Sequence, residues 1–258
     1  MVQPLQDLRV LVTGGGSAIG REIAEQFAAQ GARVHVCDLA QDYLDELARE
    51  RQITGTRADV ADPDAVARVF SDVAATLGGL DVLVNNAGIT GPMGPIEDIP
   101  IDEWQRTYAV NVHGMFHCLR GGVPMLKAAG GGLIVNISSV AGRLGYPLRT
   151  AYSSSKWAVV GLTQSLAMEL GPHNIRVNAI LPGWTAGERH DRNIVRRAPG
   201  LGLTPEELKH RIYSRISLRR PNSRADIAAM AVFLASPLGQ NISGQSLGVC
   251  GNVETLAV

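Results

Sequence analysis

Short apolar runs alternate with longer amphipathic stretches along almost the whole of the 258-residue chain, and this alternation limits the fold more than any single residue does. Strand-length runs stand at Arg9–Thr13, Arg33–Cys37, Thr54–Ala58, Val82–Asn85, Leu133–Ile137, Arg176–Ile180 and Ser246–Val249. Helical patterns cover Gly20–Gln30, Asp42–Arg51, Pro63–Leu77, Asp102–Lys127, Ala151–Leu170 and Arg224–Ala235. Strand and helix in turn predict right-handed β-α-β crossovers, hence an α/β fold with a parallel sheet and helices on both faces. No repeat, low-complexity tract or long linker intervenes, so one domain is expected over 1–258. Trp184 to Ser223 breaks the rhythm. It is too long for a plain connection and reads as a substrate lid at about 184–223, with short helices around Pro205–Ile216.

Charge removes several classes of function. Lys and Arg number 24 and Asp and Glu 24, a formal balance of zero that points to no nucleic-acid or membrane partner. No apolar run reaches spanning length. The opening MVQPLQDLRVLVTGGG lacks a basic region followed by a long apolar stretch, so no secretion signal is read there. Cys37, Cys118 and Cys250 lie far apart without metal-ligand spacing. They predict reduced thiols, a cytoplasmic protein and no metal site.

The polar residues that stand out follow the strand ends one after another. Thr13-Gly14-Gly15-Gly16-Ser17-Ala18-Ile19-Gly20 follows the first strand, Asp38 the second and Asp59 the third. Asn85-Asn86-Ala87-Gly88 closes the fourth, Ser138-Ser139 the fifth and Pro182-Gly183 the sixth. Ligands of doubly wound sheets bind beyond the carboxyl ends of the strands, which is the edge these residues line. The glycine turn suits either a tight β-α connection or a pyrophosphate held on helix amides. Asp38 has the spacing of a carboxylate on ribose hydroxyls, and also suits a helix N-cap. Asp59 suits an adenine edge or a cap near Pro63. Asn85–Gly88 suits a turn as well as a site.

Tyr152 and Lys156 are four residues apart, which on a helix puts phenol and ammonium on one face. A nearby cation stabilises a phenolate, so Tyr152 is a candidate acid and base. Ser139 lies thirteen residues upstream of Tyr152. It is either an ordinary loop serine or part of the same group. Asn111 falls inside a helical pattern that asparagine disfavours, and so either meets solvent or serves a specific purpose.

Taken together and in order, TGGGSAIG at Thr13–Gly20, Asp59, NNAG at Asn85–Gly88, Asn111, Ser139, YSSSK at Tyr152–Lys156 and Pro182-Gly183 resemble the short-chain dehydrogenase/reductase family. The resemblance covers nearly the whole chain. It implies a Rossmann-like doubly wound parallel sheet of seven strands, a homotetramer, and hydride transfer between a nicotinamide and a carbonyl or alcohol. It assigns Tyr152 as the acid/base, with Lys156 favouring its phenolate form and binding the nicotinamide ribose. Ser139 orients the substrate oxygen, and Asn111 kinks its helix and holds a relay water. Cofactor contacts carry over to Gly14, Gly16, Ser17, Ile19 and Gly20, to Asp38, and to Asp59 and Val60. They also carry over to Asn86, Ala87 and Gly88, to Tyr152 and Lys156, and to Pro182, Gly183 and Thr185.

Four departures stand out. Ala18 replaces the middle glycine of the turn. The threonine expected after Pro-Gly falls at Gly187, with Thr185 two residues early. Cys250-Gly251-Asn252 replaces a common D-G-G, and Arg219 stands where glycine is usual. The reading that follows is an NAD-dependent oxidoreductase of a secondary alcohol or ketone: a polyol, sugar, cyclic alcohol or hydroxy acid. Asp38 would repel a 2′-phosphate, and neither Ser17 nor Leu39 is basic. The alternatives are an NADPH-dependent 3-oxoacyl thioester reductase and a non-catalytic dinucleotide-binding regulatory protein. Trp184 to Arg224 carries ten Lys and Arg, Arg189 among them, against four Asp and Glu, a balance of +6. These cations either pair with a neighbouring subunit or, through Arg192 and Arg196, draw in a carboxylate or phosphate on the substrate.

Overall fold

The computed structural model describes residues 5–257 and contains seven strands in one parallel sheet. Residues 1–4, which open the stretch read for a secretion signal, and the side chain of Arg189 lie outside the described set. The strands are β1 (Arg9–Thr13), β2 (Arg33–Asp38), β3 (Thr54–Arg57), β4 (Val82–Asn85), β5 (Gly132–Ile137), β6 (Ile175–Pro182) and β7 (Ser246–Val249). Their order is β3-β2-β1-β4-β5-β6-β7. The chain therefore winds outward from β1 to β3, then crosses back and winds the other way from β4. Loops leaving β1 and β4 diverge at this switch, which opens a crevice between them.

The two-residue period of a strand sends β1 into two cores. Val10 and Val12 pack with Ile23 and Phe27 of α1 (Ala18–Ala29) and Ile227 and Ala231 of α9 (Arg224–Ala235). Leu11 faces the other way, into the core of Val66 and Val73 from α3 (Pro63–Leu77), Leu119 from α5 (Gly114–Ala128) and Val159 from α6 (Thr150–Leu170). Being buried on both faces, the central strands are largely continuous apolar runs rather than alternating. No helix among the described residues is long and apolar enough to cross a membrane.

Two expectations are refined. The helix read as Asp102–Lys127 is α4 (Ile101–Tyr108) and α5, joined by a π-helical turn at Ala109–His113. In the 184–223 segment a helix does start at Pro205, as α8 (Pro205–Tyr213), where Thr204 and Glu207 form a reciprocal cap. A further helix, α7 (Glu188–Arg197), precedes it. Its cationic sequence masked it, because only Ile194 and Ala198 reach the small core that it shares with Leu208 and Ile212. The remaining helix is α2 (Gln41–Arg51).

Candidate active site

The crevice at the switch point is a cleft of about 400 Å³, within the usual size of small-molecule and cofactor sites. Its first end is built from main chain. Gly16 N–H donates to Asp38 Oδ2 at 2.9 Å, and a Cβ on Gly16 would lie 2.9 Å from that carboxylate, so only glycine fits. A Cβ on Gly20 would collide with the carbonyl of Gly14. Ser17, the residue before α1, makes no side-chain cap, and no acid occupies the first turn. The amides that begin this helix have no intrahelical partner. Ser17, Ile19 and Gly20 line the cleft, which gives it an anion cradle of the kind that holds a pyrophosphate.

Asp38 and Asp59 line the same end. Neither is a helix cap: Ala40 precedes α2, and Asp62 caps α3 by accepting from Asp64 N–H at 2.9 Å. Asp38 accepts from Gly16 and, at 3.2 Å, from Ala40 N–H. Asp59 accepts from Ala61 N–H at 2.9 Å and pairs with Arg106 at 2.7 Å. Burial pushes its carboxyl up, and these two partners outweigh that, holding it below the usual carboxylate range. Val60 adjoins it in the cleft wall.

Next to the glycine turn, Asn86 Nδ2 donates to the carbonyls of Thr13 and Gly14, both at 3.0 Å, locking the loop after β4 to the loop after β1. Ala87 and Gly88 continue along the wall. Asn111 sits on the π turn and is buried. Its Oδ1 accepts from Ile89 N–H at 2.8 Å, and its Nδ2 donates to Ile89 O at 2.9 Å and Ser155 Oγ at 3.0 Å. Asn111 thus meets no solvent and lies behind the cleft wall rather than in it. Gly88 separates it from Lys156: a Cβ there would be 3.2 Å from Asn111 Oδ1 and 3.4 Å from Lys156 Nζ.

At the middle of the cleft stand Ser139, Tyr152 and Lys156. Lys156 is buried, donates to Ile137 O at 2.9 Å, and places Nζ 5.9 Å from the Tyr152 ring centre. Ser138 Oγ donates to Lys156 O at 2.8 Å, fastening the end of β5 to α6. Ser139 caps the 3-10 turn at Val140–Gly142, with Oγ accepting from Ala141 N–H at 3.1 Å. Its own hydrogen has no acceptor among the described residues. Pro182 and Gly183 end β6 at the far wall. Gly183 is required there because Cys250 packs against it, where a Cβ would lie 2.7 Å from Cys250 Cβ.

The second end is made of side chains that the spacing argument missed: Tyr146, Arg149, Trp184, His190 and Arg197. The guanidinium of Arg149 lies 5.9 Å from the Tyr146 ring centre and 5.7 Å from that of Tyr152. Arg197 lies 5.8 Å from Tyr146 and 5.6 Å from Trp184, and donates to Tyr146 Oη at 3.2 Å. Burial draws the pKa values of Arg149 and His190 down and pushes that of Tyr146 up. The recurrence Tyr146, Arg149, Tyr152 across the start of α6 was the available sequence signal. Arg192 and Arg196, singled out from sequence, do not line the cleft. Both are exposed, and Arg192 pairs with Glu188 at 3.2 Å. Thr185 does line it, and accepts at 2.8 Å from Nδ2 of Asn222, another residue the motifs did not reveal.

Two departures from the expected glycines keep glycine's backbone. Ala18 has φ +50° and Arg219 φ +54°, both left-handed.

The sequence model of the short chain dehydrogenase family matches residues 9–196. The chain is 38% identical over 255 residues to the probable galactose dehydrogenase GalD of Rhizobium meliloti, covering 96% of each chain. It is 34% identical over 248 residues to the 3-oxoacyl-(acyl-carrier-protein) reductase FabG of Thermotoga maritima, covering 94% of this chain and 96% of the relative. A solved 7α-hydroxysteroid dehydrogenase complexed with NADH and 7-oxo glycochenodeoxycholic acid superposes with a TM-score of 0.89 at 34% identity. That match covers 98% of this chain and 97% of the other.

Proposed function

The chain belongs to the short chain dehydrogenase family, and from that premise we propose that it oxidises a secondary alcohol, or reduces the matching ketone, with NAD. The observation that carries this reading is Tyr152 standing in one cleft with Ser139 and Lys156 at its side and Asp38 at the distant end. When bound, the dinucleotide supplies the hydride acceptor or donor. The protein's part is to hold it, orient the substrate and move one proton.

In the oxidising direction Tyr152 Oη takes the proton from the substrate hydroxyl. Ser139, whose hydrogen is not otherwise engaged, donates to the substrate oxygen and fixes its position. Lys156 meets the negative charge that develops on the tyrosine oxygen and binds the nicotinamide ribose. Both amide hydrogens of Asn111 are engaged, by Ile89 O and Ser155 Oγ, and its Oδ1 accepts from Ile89 N–H, so its side chain acts by holding the Gly88–Ile89 turn beside Lys156.

The amides at Ser17, Ile19 and Gly20 hold the pyrophosphate, and Gly14 and Gly16 give it room. Asp38 takes the adenosine ribose hydroxyls, and Asp59 and Val60 border the adenine. Asn86, Ala87 and Gly88 border the nicotinamide ribose, with Pro182, Gly183 and Thr185 facing the nicotinamide. Preference for NAD over NADP rests on Asp38, whose charge opposes a 2′-phosphate, with no basic residue at Ser17 or Leu39 to offset it. The same feature disfavours the NADPH-dependent thioester reduction suggested by the FabG relative.

The excursion at 184–223 serves as the substrate lid of a single cytoplasmic domain. Exposed Ile101, Phe116 and Trp157 on α4, α5 and α6 suit a homotetramer packed through these helices. Reduction of NAD⁺ and NADP⁺ across polyols, sugars, cyclic alcohols, hydroxy acids and hydroxysteroids tests the reading. Equal efficiency with both cofactors removes the assignment of Asp38, and no turnover with any alcohol or ketone removes the enzyme.

A further inference from the structure

Arg149 and Arg197 line the second end of the cleft, next to Tyr152, and neither takes part in an ion pair among the described residues. Arg149 is only 5% exposed. It donates to Thr90 O at 2.7 Å, and its Nε has no partner. The half-buried Arg176 shows what a purely structural guanidinium does here: it donates to the carbonyls of Leu234, Gly239 and Ile242. Arg149 and Arg197 instead share one tyrosine ring, Tyr146, two like charges with no carboxylate between them. A buried cation without a counter-charge is costly, and aromatic faces offset only part of that cost. Trp184 Nε1, in the same wall, is also buried and unpartnered.

We propose that Arg149 and Arg197 anchor a carboxylate on the substrate, so that the reacting alcohol is a hydroxy acid and its product the oxo acid. The proposal rests on the hydride-transfer reading above and narrows its substrate class. Arginine's planar fork matches a carboxylate through paired hydrogen bonds. Arg149 lies beside the Tyr152 ring, which puts the carboxylate within a few bonds of the reacting carbon. That carbon gives up a hydride to the nicotinamide of NAD⁺, its oxygen gives up a proton to Tyr152, and the carboxylate is unchanged.

Binding and turnover are measured separately to test this. Calorimetry on the protein saturated with NADH compares cyclohexanecarboxylate with cyclohexanecarboxamide. Reduction of NAD⁺ compares 3-hydroxybutanoate and 3-hydroxycyclohexanecarboxylate with their amides. The acid is expected to bind about tenfold or more tightly than the amide, and this preference is expected to fall by about tenfold in Arg149→Gln and in Arg197→Gln. Arg192→Gln, outside the cleft, keeps it. Should Arg149→Gln fail to fold, Arg197→Gln decides. Equal binding of acid and amide by the wild type, or an undiminished preference in Arg197→Gln, overturns the anchor. If the binding preference is present and lost as expected while no alcohol is turned over, the anchor stands and the hydride-transfer reading falls.

Discussion

The two ends of the cleft carry opposite charge and are assembled by different means. At one, Asp38 ends β2, Asp59 stands just past β3, and the glycine turn beyond β1 supplies main-chain amides. At the other, Arg149 arrives from the connection before α6, and Trp184, His190 and Arg197 arrive from the excursion after β6. The first end needs only strand ends and backbone, so the sheet fixes it. The second is a cluster of long side chains stacked on one another, which can change without disturbing the first. A shared cofactor and a variable substrate call for this division.

The division predicts, first, that damage at the tyrosine spares the dinucleotide end. Tyr152→Phe should lower turnover by about 10²–10⁴-fold, the usual contribution of a positioned acid/base group. NADH affinity, followed by fluorescence, should change little. Near-normal rates in this variant would erase the distinction.

Acid should strike neither end but the sheet beneath them, through His35 on β2, which does not line the cleft. The ring lies buried between β2 and β3, with Nδ1 2.8 Å from Thr54 Oγ1 and Nε2 3.0 Å from Thr56 Oγ1. Thr56 directs its hydrogen to Asp72, so Nε2 carries the proton donated to it, which leaves Nδ1 the unprotonated nitrogen. Burial lowers the pKa from 6.5 to about 4. Below its ordinary pKa the unfolded chain therefore takes up a proton that the folded one does not. Stability should fall as pH drops from about 6.5 to about 4, by roughly 3 kcal/mol at the acid limit. Thermal melts at several pH values should show a shallower dependence in His35→Gln. The same slope in both proteins would exclude His35 as the cause.

A smaller effect is expected from Asp38→Ala. The ratio of kcat/KM for NAD⁺ over NADP⁺ should shrink by about 10–100-fold, because a close like-charge contact is removed. Turnover with a saturating substrate should stay comparatively steady, since the tyrosine end is intact. A ratio that does not move would place the discrimination elsewhere.

Smallest is Ala18→Gly. A left-handed alanine is strained by roughly 1 kcal/mol, so glycine should raise the midpoint of urea unfolding slightly. A lowered midpoint would mean that the methyl packs usefully against the cleft wall.

The sheet and its helices were legible because burial on both faces leaves continuous apolar strands, and amphipathic helices leave a period. Tyr152, Lys156 and Ser139 were legible because they lie close in sequence or at strand ends. The π turn at Asn111 was not, because its cause is tertiary: the carboxamide grips both the N–H and the carbonyl of Ile89, 22 residues away. Arg149 was hidden for a related reason. It precedes the first turn of α6, so helical spacing says nothing of where it points. Arg192 and Arg196 drew attention by charge alone, yet among the described arginine side chains of α7 the half-buried one is Arg197. Charge counts do not distinguish the faces of a helix whose apolar side is only two residues wide.

The excursion after β6 departs and returns at a single place. Ala186 N–H donates to Asn222 O at 2.9 Å, and Asn222 N–H to Trp184 O at 3.0 Å. The entropy of closing such a loop grows only with the logarithm of its length. Residues can therefore be gained or lost within the excursion at little cost to the sheet below, except at 215–218, whose main chain bonds to Gly251, Asn252 and Glu254. The rungs bound the excursion as a cassette that is fastened once more, by Ile216 packed against Cys250 and Val253. Under the proposed function, substrate choice is rewritten inside it while the proposed proton-transfer residues, Ser139 just after β5 and Tyr152 and Lys156 on α6, keep their place.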